Sequence, residues 1–291
     1  MFAKVLKYEA KETGLLTLVL AIAGGLIIFL SGLAVLAPDG PLAAIRGLSL
    51  TTGVLIGLAL PCGLFFPAAV RYWRTMYGQR GYFTQTLPVG SGVILAAKTL
   101  WLMLVTGVSM VLFLGALLWM TTVQTQTEEL AMKKGTWTIR EGIDKVIGSF
   151  HAAWAGFPDF AKWAMIAILI MGIIETVVGM LFASALSNWW PFSAESPGLG
   201  FTLAAVVTYA MTQVFGAIVL FVIPGSLSIV SVGEESKLEF VKGFFWHNLV
   251  DSAGASGSEN YIPLGTLLLP LMAIAMYVFA HYSLTRRLNL R

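Results

Sequence analysis

Long apolar runs alternate with short polar stretches along this chain. Six runs reach the length of about twenty residues that a helix needs to cross a bilayer core. They are Leu15–Ala37, Leu48–Val70, Val93–Met120, Trp163–Leu186, Leu199–Ile223 and Pro263–Leu284. None carries the polar face expected of a helix on the surface of a water-soluble protein. The pattern predicts an all-α, polytopic membrane protein with six transmembrane helices, the spanning domain covering residues 15–291.

The stretches between the runs have characters of their own. Residues 1–14 fit a short interfacial amphipathic helix, with Phe2, Val5 and Leu6 on one side and lysines able to reach lipid phosphates; an ordinary basic flank fits equally well. Residues 121–162 are polar, but Ile139, Ile143, Val146, Ile147, Phe150 and Trp154 recur at helical spacing opposite Arg140, Asp144 and Lys145. That predicts an amphipathic helix lying on the outer membrane face or capping the bundle. Residues 224–262 mix apolar and polar positions, and Ser252–Ser258 has the composition of a flexible connection. In the second run, Gly53-Val-Leu-Ile-Gly57 permits close helix contact. Pro61, Gly63 and Pro67 follow and predict a kinked or widened end. No internal repeat with a matched pair of broken helices is visible, which weighs against an inverted-repeat carrier.

Composition agrees with the pattern. Hydrophobic residues make up 57% of the chain and charged residues 11%, with mean hydropathy +0.82, where a soluble domain carries about 25% charge. Charge also sets orientation. With the N-terminus inside, inner segments hold ten basic and three acidic residues, and outer segments hold eight basic and eleven acidic. The positive-inside rule then puts both termini in the cytoplasm, together with a segment at 71–90, and puts 121–162 and 224–262 outside. The first run is long enough to span and shows no clear cleavage site for a signal peptide. The single cysteine, Cys62, excludes an intrachain disulfide framework.

Candidate chemistry is sparse. Glu175 is the one acid inside a span, where an ionised carboxylate costs roughly 3 kcal/mol. It fits either a proton or cation site, or a protonated or paired glutamate that fixes helix packing. Gly92 to Thr99 nearly spells the phosphate loop G-x-x-x-x-G-K-[ST] but has Ala97 where glycine is required. Gly254-Ala-Ser-Gly257 matches the G-x-S-G of rhomboid-type intramembrane proteases, yet Ser256 and His281 are expected on opposite membrane faces. His151, His247 and His281 are isolated and lack metal-ligand spacing. Trp189 and Trp190 suit an interfacial aromatic belt. The expectation is no catalytic residue, no metal site, no cofactor and no nucleic-acid partner for this chain.

Arg71–Pro88 stands apart, with Arg71, Arg74 and Arg80, no acid, and aromatics between them. By charge alone it is a lipid-facing anchor or a surface for an acidic protein. The run Met76-Tyr77-Gly78-Gln79-Arg80-Gly81-Tyr82-Phe83-Thr84-Gln85-Thr86-Leu87-Pro88-Val89, followed by Ala97-Lys98-Thr99-Leu100, resembles the "MYG-x-x-G-Y-L-T-x-T-L-P-V … S-K-L-L" signature of bacterial ABC type-2 permeases. Phe83, Ala97 and Thr99 depart from it. The opening Phe2 to Lys11 is similar to that family's "K-L-L-K-Y-E-x-K". The resemblance implies an exporter permease in the bacterial cytoplasmic membrane. A coupling helix between spans two and three would dock on a separate ATPase subunit, present in two copies, which binds ATP and Mg. It implies coupling roles for Arg71, Tyr72, Arg74, Met76, Tyr77, Gly78, Gln79, Arg80, Gly81, Tyr82, Thr84, Thr86 and Pro88. It also implies a second permease copy or a related permease, with a substrate path along Gly53, Gly57, Pro61, Thr208, Thr212 and Gln213. Rival expectations are an ATP-independent membrane assembly or immunity protein, and a proton-coupled carrier using Glu175.

Overall fold

The computed structural model describes residues 2–36, 46–78, 81, 84, 89–132, 139–156, 159–194, 196–232, 235–244, 260–263 and 268–286. They form α1 (Phe2–Val35), α2 (Arg46–Met76), α3 (Ser91–Met132), α4 (Ile139–Gly156), α5 (Asp159–Leu186) and α6 (Pro197–Phe221). Three strands come next, β1 (Pro224–Val232), β2 (Glu235–Phe244) and β3 (Asn260–Pro263), and then α7 (Leu269–Arg286). Among the described residues, five helices are long and apolar enough to cross a membrane: α1, α2, Ser91–Thr125 of α3, Lys162–Leu186 of α5 and Gly198–Val219 of α6. α7 is apolar but shorter. The protein is a predominantly helical, multi-pass membrane protein.

The chain divides into two compact units. One comprises Met1–Arg74 and Leu87–Ile173, the other Thr75–Thr86 and Ile174–Arg291. In the first, α1 runs without a break through the expected junction at residue 14. At 1.5 Å per residue its 34 residues extend about 51 Å, beyond a core of about 30 Å. The residues it buries are Glu9, Thr13, Gly24, Ile28, Ser31, Gly32 and Val35, while Leu15, Leu18, Val19, Ile22 and Leu26 are exposed. This is the arrangement expected in lipid, where small and polar residues make helix contacts and leucines face the acyl chains. A β-carbon at Gly24 would collide with Leu60, at Gly32 with the Trp119 indole, and at Gly53 with Met120; at Gly57 it would lie 3.2 Å from Ala116. The expected close approach through Gly53 and Gly57 is thus made, against α3. Phe29 stacks on Trp119 with centroids 5.5 Å apart.

At the end of this unit where α1 finishes, Val35, Leu36, Val123 and Val146 form a buried cluster with Leu50, Trp119 and Ile143. The amphipathic stripe expected of α4 is therefore split. Ile143 and Val146 cap the bundle, whereas Ile147, Phe150 and Trp154 stay exposed.

In the second unit, Val178, Ala273 and Met276 form a core with Ile174, Phe182, Met272 and Tyr277. Trp189 turns inward: its Nε1–H donates to the buried Ser283 Oγ at 3.1 Å, and its ring lies 5.0 Å from Phe279. Trp190 points out and is 82% exposed. The two tryptophans expected to form one interfacial belt thus have different jobs.

The helical architecture is interrupted by three strands within the segment expected to lie outside the spans. There β1 pairs antiparallel with β2 on one side and β3 on the other. The register sets Leu227 opposite Phe240 and Ile262, and Ile229 opposite Leu238. The period-two alternation of serine with Leu227 and Ile229 is a strand signal, hidden here because it directly follows a long apolar helix. Gly225 makes the corner with φ 106, a conformation that side chains with a β-carbon rarely adopt. Pro263, expected to open the last span, ends β3 instead.

Candidate functional site: a buried charge cluster at the root of the basic segment

The helices of the first unit carry a group of ionised side chains where α1 begins, α2 nears its end and α3 begins. Glu9 of α1 is 6% exposed and Lys98 of α3 is 4% exposed, and they form a direct ion pair. Arg71 of α2 places Nε 3.8 Å from Glu9 Oε2 and pairs through its guanidinium with Glu12. Beside them, Trp101 Nε1–H donates to Thr13 Oγ1 at 2.7 Å, and the Thr13 hydroxyl donates to the Glu9 carbonyl at 3.0 Å. Two cations and two anions thus compensate one another within three helices. Burial of charge demands such compensation, since an unpaired ion out of water costs several kcal/mol.

Helical spacing explains the placement. Glu9 and Thr13 lie four residues apart, one turn along the same face of α1, and Lys98 and Trp101 are three apart on α3. The two faces meet, so the acid takes the lysine while the threonine takes the indole. Arg71 joins them from the last two turns of α2. Arg74, one turn further on, is exposed. Tyr72, Met76, Tyr77, Gly78 and Gly81 are buried, and Thr84 is half-buried. Gln79, Arg80, Tyr82, Thr86 and Pro88 lie outside the described residues.

The other expected site residues are dispersed. Gly53 and Gly57 are spent on helix contact, and Pro61 is half-buried within α2. On α6, Thr208 is buried and donates to the Ala204 carbonyl, Thr212 donates to the Tyr209 carbonyl, and Gln213 is exposed. None of the three lines the concavity of this unit, which is walled by the neighbouring positions Val207, Met211 and Val214. Glu175 is half-buried in the middle of α5, and among the described residues no hydrogen bond or ion pair reaches it. The near-match to a phosphate loop has no loop, because α3 is helical from Ser91 and Lys98 is engaged by Glu9. His247 and Ser256 lie outside the described residues. Among the described residues no group of three or more His, Cys, Asp or Glu could hold a metal ion.

The charge cluster was the part that residue patterns missed. Glu12 entered only as a contribution to loop charge, and Glu9 and Lys98 otherwise only as members of sequence motifs, never as partners. The available signal was the one-turn repeat of polar or small residues along α1, read against the inward-facing rule for membrane helices. No protein-family model, curated protein or solved structure matches this chain.

Proposed function

We propose that this chain is the membrane-spanning permease subunit of an ATP-binding-cassette exporter in the bacterial cytoplasmic membrane. In this reading α7 is the sixth span and both termini face the cytoplasm. The segment from Arg71 to Pro88 docks on a separate ATPase, which supplies ATP and Mg, and a second permease subunit completes the path. The observation that carries the reading is the tie between Arg71 and the acids Glu9 and Glu12, with Lys98 on the same carboxylate. The basic segment leaves the bundle from a point fastened to α1 and α3 as well as to α2. A push on that segment is therefore delivered to three helices as a rigid-body displacement, as alternating access requires.

Arg74, exposed on the last turn of α2, supplies charge for an acidic partner surface. In the test, Arg74→Glu with Arg80→Glu is expressed beside its ATPase and purified in mild detergent. The ATPase is expected to be lost while membrane insertion is kept. Recovery equal to that of the unaltered chain would overturn the proposal.

A further inference from the structure

The second unit contains a concavity of about 680 Å³. Its walls are Val207, Met211, Val214 and Ile218 on α6 and Met272 and Met276 on α7, each set recurring at helical spacing. Phe182 and Phe279, their rings 5.0 Å apart, also line it, with Trp189 beside Phe279. Every lining residue is apolar, so no side chain is available to hold a headgroup, a peptide bond or an ion.

Two features identify the occupant. From Val207 to Ile218 the wall runs about 16 Å at 1.5 Å per residue, about half of a hydrocarbon core of about 30 Å. That is the depth of one leaflet. The mouth is continuous with the outward face of α6, where Val206 and Val214 are each 60% exposed within a spanning helix. Hydrocarbon is what the bilayer offers there. A void lined on several sides forfeits dispersion contacts until it is filled, and flexible Met211, Met272 and Met276 can adapt to a chain of variable shape.

We infer that this groove holds one acyl chain of a bilayer phospholipid. The assignment does not depend on an ATPase partner. The test reconstitutes the full chain in phosphatidylethanolamine and phosphatidylglycerol vesicles doped with a phosphatidylcholine that carries a diazirine on one acyl chain. Labelled peptides are mapped after irradiation. Labelling around Met211, Met272 and Met276 is expected to exceed that of the exposed leucines of α1 by about tenfold. Ala275→Trp, which puts a bulky ring on the lining of α7, removes the excess. Val214→Trp does the same from an exposed rim position where the fold tolerates it. Even labelling along all lipid-facing helices, or an excess that survives both variants, overturns the inference. So does stoichiometric disulfide dimerisation of Val214→Cys on a Cys62→Ser background, which would give the groove to a second copy.

Discussion

Glu9 and Lys98 stand 89 positions apart in the chain and meet as a buried ion pair. The pair joins the first turns of α1 to the first turns of α3, and Arg71 extends it to α2. Because both partners are buried, the pair adds little net stability, yet removing either partner alone is costly.

Neutralising one member strands the other. Glu9→Gln leaves Lys98 in a dry site without its carboxylate and is expected to cost about 3 kcal/mol, the scale for breaking a buried pair from one side. The double variant Glu9→Gln with Lys98→Met should recover most of that loss. Thermal unfolding in detergent gives both values, and additive losses would show that the pair is not coupled.

Close helix packing makes a second contrast. Gly32→Val drives side-chain atoms into Trp119, and Gly53→Val into Met120 and Ser31. Each should cost about 1–3 kcal/mol, as overpacking does. Gly25→Ala and Gly63→Ala meet nothing within 4 Å. They should be neutral or slightly stabilising, since alanine favours helix by up to about 1 kcal/mol. The same unfolding assay separates the two groups.

The adjacent tryptophans should respond differently. Trp189→Phe keeps a ring beside Phe279 but leaves the buried Ser283 hydroxyl without its donor, a loss of about 1–3 kcal/mol. Trp190→Phe, at a position 82% exposed, should change stability by less than about 0.5 kcal/mol. Equal effects on the unfolding midpoint would contradict the inward and outward assignment.

At the corner into β1, Gly225→Val forces a β-branched residue into φ 106, a strain of about 1–3 kcal/mol. Limited proteolysis should then cut within residues 224–263 faster than in the unaltered chain, while cleavage elsewhere stays the same.

Much of the spanning architecture was legible because length and hydropathy act locally. A run such as Leu15–Ala37 has to satisfy its backbone internally once in lipid, and a helix does that whatever surrounds it. The three-stranded sheet was less legible. Its alternation around Leu227 and Ile229 spans only a few residues, and its pairing with Ile262 is a long-range fact. The groove itself was not legible, because Val207, Met211 and Val214 are ordinary apolar positions of a spanning helix until α7 is packed beside them.

By itself the sequence determined that this protein is a multi-pass membrane chain with a basic, aromatic segment near Arg71. Apolar length and charge count are properties of single segments, and they need no neighbour to act. Tertiary structure alone decided that Glu9, Glu12, Arg71 and Lys98 share one site. Each could have been an ordinary surface charge on its own helix. Only packing, which removes water from Glu9 and Lys98, obliges those two to find each other, while Arg71 and the exposed Glu12 join them at the wetter edge.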